Sequence, residues 1–154
     1  MMNLFKEIRT LRKEGKLHTA LLNRTRILFG ISTILLLVIL FNIFFREVNS
    51  TIILGIISLS SIGFFLGLHV FSKMNAVNWN EEEGMVKTSK MGTLGYMTLG
   101  LYIIFEVGLR TFLNSNFPLY ALPLLLAGIF GTLFGRVIGT LLEIHRVYLF
   151  NHSK

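Results

Sequence analysis

The sequence predicts an all-α membrane protein: a four-transmembrane-helix bundle with an N-terminal amphipathic helix and a small cytoplasmic β-hairpin between helices 2 and 3. Three observations predict it. Hydrophobic residues make up 53% of the chain and charged residues 15%, against about 25% charged in an average soluble domain. Several stretches reach the roughly 20 apolar residues that a helix needs to cross a hydrocarbon core about 30 Å thick with every backbone amide satisfied inside its own segment. The net charge of +7 is unevenly spread along the chain.

The opening segment, residues 1–18, places Leu4, Phe5, Ile8 and Leu11 at helical spacing and covers the rest with Lys6, Arg9, Arg12, Lys13 and Lys16. This is the pattern of an amphipathic helix. On an inner leaflet each basic residue would gain about 1 kcal/mol from anionic lipid heads. Two roles fit it: a topogenic signal, or a docking surface for a cytoplasmic partner. Residues 1–26 are expected to form this basic cytoplasmic part, residues 27–150 the four-helix domain and residues 151–154 a cytoplasmic tail.

The spans are expected at about 27–45, 51–71, 91–113 and 119–142. No small-residue cleavage signal follows the first, so it is expected to remain as an anchor. Lys6, Arg9, Arg12, Lys13, Lys16, Arg24 and Arg26 precede it; Lys73, Lys87 and Lys90 lie between spans two and three; Arg146 and Lys154 follow span four. The opposite side has only Arg46 and Arg110. Because positive charge is retained on the cytoplasmic side, both termini are expected in the cytoplasm, in a multi-pass protein of the inner or plasma membrane. The connection from Lys73 to Lys90 alternates apolar and polar residues around Glu81, Glu82, Glu83 and Gly84, which predicts a β-hairpin. Val77 and Trp79 would share a face of the first strand, and Met85 and Lys87 a face of the second. Trp79 is expected at the membrane surface or against a partner.

Ionisable residues inside a span cost about 2.5–3.5 kcal/mol each on insertion scales, so each needs a partner or a wet surface. Glu106 lies roughly 22 Å from the cytoplasmic start of its span and Arg136 roughly 25 Å from the outer start of its own, counting 1.5 Å per residue; the two sit near opposite faces. Glu106 is expected to pair with Arg110, four residues on, and Arg136 to reach inner phosphates or Glu143. In span four, Gly128, Gly131, Gly135 and Gly139 form a narrow stripe, and Gly63 and Gly67 in span two offer a matching surface. Small residues at this spacing let helix backbones approach, within one bundle or across a homo-oligomer.

With no cysteine in the chain, disulfides and thiolate chemistry are excluded. His18, His69, His145 and His152 are scattered, and there is no nucleophile elbow, no phosphate loop and no carboxylate pair within a span. No catalytic residue, metal site or cofactor is therefore expected. Nucleic-acid binding is not expected, because the basic residues are interleaved with lipid-facing hydrophobes.

From Gly84 to Leu113, a short strand ending in Lys87, Thr88, Ser89 and Lys90 runs into a long apolar helix with Arg110 near its far end. This stretch, about a fifth of the chain, resembles the CcdC-like family of small bacterial membrane proteins associated with cytochrome c biogenesis loci. The resemblance implies a bacterial inner-membrane protein and carries over no active-site residue. The function expected is a non-catalytic accessory or regulatory subunit that binds a partner at its cytoplasmic face; the alternative is a small homo-oligomeric transporter or channel using Glu106 and the glycine face of helix four.

Overall fold

The computed structural model describes residues 10–11, 13–45, 48–74, 77–81, 83–88 and 92–152. They form four long apolar helices and a two-stranded antiparallel sheet. Helix α1 spans Thr19–Phe45, α2 spans Ser50–Leu66 and runs on as a π-helical turn over Gly67–Phe71, α3 spans Thr93–Asn116 and α4 spans Ala121–His152. All four are long and apolar enough to cross a membrane. Strand β1 (Val77–Asn80) and strand β2 (Met85–Thr88) form the hairpin between the second and third helices.

Local chemistry sets the helix ends. His18 Nδ1 accepts the Ala20 N–H at 3.2 Å at the start of α1. Asn49 caps α2, its side-chain oxygen accepting from the Thr51 N–H at 2.6 Å and the Ile52 N–H at 3.4 Å. Replacing it by alanine orphans the Thr51 N–H, while the Ile52 N–H keeps the Asn49 carbonyl at 3.1 Å, and Asn49→Ala is expected to lower stability by about 1 kcal/mol, read as a lower thermal midpoint in detergent. Between α3 and α4 the Tyr120 N–H reaches the Phe117 carbonyl at 3.0 Å in a turn with Pro118 at its second position, where proline's fixed φ fits. Pro123 falls in the first turn of α4, which needs no N–H from it.

Helix α4 is the post on which the others stand: it packs against every other helix and both strands, and among the helices most extensively against α2 and least against α3. At one end, Ile39 of α1, Ile52 and Ile56 of α2 and Leu113 of α3 meet Ala121, Leu124 and Ala127 of α4 in a hydrophobic cluster. At the other end, which we call the hairpin end, a second cluster joins Leu11, Leu17 and Leu21 to Val77 and Val86 of the hairpin and Ile144 of α4. With 32 residues, α4 is about 48 Å long. It therefore exceeds a hydrocarbon core by several turns, and those extra turns carry the hairpin.

Helices α2 and α4 run parallel between the two clusters, with backbones in contact. A Cβ built at Gly67 would run into the Thr132 carbonyl oxygen, one at Gly131 into that of Ser60 and one at Gly135 into that of Phe64. At Gly139 it would lie 2.8 Å from the Leu68 carbonyl oxygen. Only glycine allows this approach. Gly63 seats against the Gly128 carbonyl, whereas a Cβ on Gly128 itself would meet nothing within 4 Å. Gly128 takes part in the seam through its carbonyl alone, since α2 lies to one side of its Cα. Gly55, 2.9 Å from Leu124 Cδ2 in the same construction, belongs to the seam and was not anticipated.

The opening segment is not one helix. Among the described residues, Thr10, Leu11 and Lys13 are helical and the chain turns at Glu14 and Gly15, where φ of the glycine is +71°. The Lys16 N–H bonds the Leu11 carbonyl at 3.0 Å, the six-to-one bond of a glycine-terminated helix end. The chain then pairs with β2: the Val86 N–H donates to the Lys16 carbonyl at 2.8 Å and the His18 N–H to the Val86 carbonyl at 3.1 Å. Leu11 is only 2% exposed, so it faces protein and not a leaflet. Lys6, Arg9 and Arg12 lie outside the described residues. Span one is the C-terminal part of a longer helix that starts at Thr19, and α4 continues through Asn151 and His152, where the start of a tail was expected.

Candidate functional site

The hairpin end gathers the chemistry that the four apolar helices lack. In the sheet register Trp79 faces Val86 and Asn78 faces Lys87. Cross-strand partners share a face, so Val86 joins Val77 and Trp79 on the buried side, while Met85 and Lys87 turn the other way. Val77 and Trp79 thus share a face of β1 and Met85 and Lys87 a face of β2, as expected, and the buried residue of β2 is Val86. Val86, fully buried, is held by β1 on one side and residues 16–18 on the other. Gly84, with φ +61°, closes the turn, and Lys87 Nζ reaches back to Glu83 Oε1 at 2.5 Å.

Two grooves flank this small sheet. One, of about 510 Å³, runs between β1 and the last turns of α4, lined by Lys73, Asn78, Trp79, Glu143, Arg146 and Phe150. Trp79 is half-buried, its ring packed against the hairpin-end cluster. Lys73 and Arg146 are exposed and act electrostatically on Glu143. Glu143 Oε2 is buried and has no hydrogen-bond partner, an arrangement that is rare in folded proteins. The second groove, of about 500 Å³, lies on the other side, between Leu17, Asn23 and Arg26 and the turn at Glu83. Lys13 is exposed at the end of the opening helical turn. Lys16 lies 2.9 Å from Glu14 Oε2, and that hydrogen bond holds its pKa above the ordinary 10.5. Its charge therefore acts in full below the ordinary value and is lost only as pH rises through the raised one.

Inside the apolar part, Glu106 and Arg110 form no ion pair. Along α3 the face toward α4 is Tyr102, Glu106, Leu109 and Leu113, and Arg110 falls on the exposed side. Glu106 instead acts electrostatically on Tyr102 one turn back, and Tyr102 is also influenced by Thr132 of α4. Tyr102 further stacks edge-on against Phe71 at 4.9 Å. Arg136 forms no ion pair with Glu143: seven residues separate them by about 10 Å along the axis, and Arg136 lines a cleft toward α1 with Arg24. Sequence reasoning passed over Tyr102 and Arg24. The i−4 spacing of Tyr102 from Glu106 was the available signal for the first; nothing local pointed to the second.

The remaining polar side chains close on their own helices. Ser32, only 1% exposed, donates to the Leu28 carbonyl at 2.8 Å, Thr132 to that of Gly128 at 2.9 Å and Asn42 to that of Val38 at 2.9 Å. This return to the i−4 carbonyl satisfies a hydroxyl or amide where water is absent. The glycine face of α4 is filled by α2 from Gly131 to Gly139, so that face offers no conduit. Among the described residues no three His, Cys, Asp or Glu side chains are grouped to hold a metal. Comparison with known protein families, curated proteins and solved structures returns no match.

Proposed function

We propose that this chain is a multi-pass protein of a bacterial inner membrane, with both termini in the cytoplasm, and that it works without catalysis as an accessory or regulatory subunit that docks a partner protein at its hairpin end. The observation that carries the reading is the second cluster. Three stretches far apart in the chain, around Leu17, Val86 and Ile144, are welded into one folded unit beyond the apolar runs. A unit that only anchored the spans would not need a sheet, a buried core and two open grooves.

Lipid accounts for the rest of the surface. Leu101 and Ile104 of α3 are about 70% exposed and Phe44 of α1 is 81% exposed; in water such faces would be an aggregation hazard. The described basic residues at the hairpin end, Lys13, Lys16, Lys73, Lys87 and Arg146, support a cytoplasmic orientation through the positive-inside rule. The resemblance of residues 84–113 to the CcdC-like family supports the bacterial inner membrane. Anionic lipids of the inner leaflet are the second partner.

The chain has no cysteine, so Asn78→Cys, at an exposed groove position, gives a single attachment point for a photo-crosslinker. In native membranes a discrete adduct with another polypeptide is expected, reduced several-fold by adding Trp79→Ala and Arg146→Gln. Crosslinks to lipid alone would end the docking reading. Release of the chain by carbonate washing, or a reporter on either terminus found in the periplasm, would end the membrane one.

A further inference from the structure

The second groove, of about 500 Å³, separates the first two turns of α1 from the hairpin turn at Glu83. Thr19, Asn23 and Arg26 line it from α1, at a spacing that puts them on one helix face. Arg26 is exposed and makes no ion pair with a described carboxylate. Glu83, on the opposite wall, is held by Lys87 Nζ at 2.5 Å, so its charge is already answered. His18 Nδ1 accepts the Ala20 N–H at 3.2 Å; the ring proton therefore sits on Nε2, which makes His18 a donor in the groove wall. Leu22 and Met85 add apolar surface. The face that carries Arg26 does not end at the groove. Continued along α1 at the same spacing, it runs through Gly30, Ile34, Leu37 and Phe41. A Cβ on Gly30 would meet nothing within 4 Å, and Ile34, Leu37 and Phe41 are each about 60% exposed. The buried residues of α1, Leu21, Ser32 and Ile39, lie on the opposite face. A donor-rich groove thus opens onto an uncovered apolar track, and the two meet at Arg26, the last charged residue before the apolar run from Ile27 to Phe45.

We infer that this groove binds the headgroup of an anionic glycerophospholipid, with its phosphodiester on Arg26 and His18 and one acyl chain along the Gly30 to Phe41 face. The planar, forked guanidinium matches phosphate oxygens, and the imidazole N–H and the Asn23 amide are further donors for them. The volume falls within the roughly 300–1,000 Å³ of clefts that hold small ligands. The track decides for a lipid: a free phosphate would leave it unused, whereas an acyl chain that follows its own headgroup lies on it. The charges decide for an anionic one. The ammonium of a zwitterionic headgroup needs a carboxylate, and Glu83 is occupied by Lys87; a hydroxylated headgroup such as glycerol needs none.

This inference gives the lipid partner a place and rests on the membrane reading; its test separates the two. The full chain purified in detergent is incubated with phosphatidylglycerol or phosphatidylethanolamine, and bound lipid is counted by native mass spectrometry. Wild type is expected to retain phosphatidylglycerol several-fold better. Arg26→Gln should lower that retention about tenfold, and Arg26→Lys, which keeps the charge without the fork, should lower it less. Lys13→Gln removes the same charge from an exposed position outside the groove and should leave retention unchanged. Arg26 is exposed, so its variants are expected to elute as wild type on size exclusion. Wild-type retention in Arg26→Gln, an equal loss in Lys13→Gln, or equal retention of the two lipids would each overturn the inference. So would displacement of the lipid by millimolar inorganic phosphate or glycerophosphoglycerol, which would identify a free-anion site. A chain that resists carbonate washing but is indifferent to Arg26 loses only the lipid site.

Discussion

Alanine at Gly131 is expected to force α2 and α4 apart and to lower stability by about 3 kcal/mol, the upper end for adding a methyl to a closed interior. Its Cβ would run into the Ser60 carbonyl oxygen, which is backbone and cannot rotate away. Gly135→Ala meets the Phe64 carbonyl in the same way and should behave alike. Gly128→Ala is the control: it lies on the same stripe with open space before it, and alanine favours helix over glycine by about 1 kcal/mol. Thermal midpoints in detergent, followed by the monodisperse fraction on size exclusion, should fall sharply for the first two variants and hold for the third. Equal behaviour of Gly128→Ala and Gly131→Ala would contradict the register of the seam.

The other large effect is expected at the hairpin. Val86→Asp puts a carboxylate at a fully buried position between β1 and residues 16–18. An uncompensated buried charge destabilises by about 3–5 kcal/mol, enough to raise the population of the opened hairpin end by roughly a hundredfold to a few thousandfold. Because one cluster holds both the hairpin and the Leu17 segment, cleavage by trypsin after Lys16 and after Lys87 should accelerate together, with the apolar helices remaining intact. Acceleration at Lys87 alone would show that Leu17 is held by something other than Val86.

Much of this architecture can be read from residue order. Four runs too apolar and too long for water announce the helices, and alternation around Gly84 announces the hairpin. The glycine stripe on α4 is visible as four-residue spacing. Its register is not: spacing says that Gly128, Gly131, Gly135 and Gly139 share a face, but the position of α2 over that face depends on where both helices start, and this leaves Gly128 open. The break at Gly15 had a signal, a glycine after a basic helical run, that the strong apolar periodicity before it outweighed. The bridge of Leu17 to Val86 had none, since a single residue pair carries no pattern. Glu106 shows why charge alone misleads: Arg110 has the favourable spacing, yet the helix face turned to α4 carries Glu106 with Tyr102 while Arg110 falls on the exposed side.

The parallel pairing of α2 with α4 dictates the order of assembly. Two helices that point the same way must be separated by one that points back, so α2 has to wait through the synthesis of α3 before the surface it fits exists. It waits with α1 as a poor companion, for those two touch little. The first strand-like segment waits longer still, since the core that closes over Leu17 needs Ile144. The loose hold of α3 on its neighbours then has a use: it leaves the face of α4 that fits α2 open, with no tightly packed partner to be parted from first.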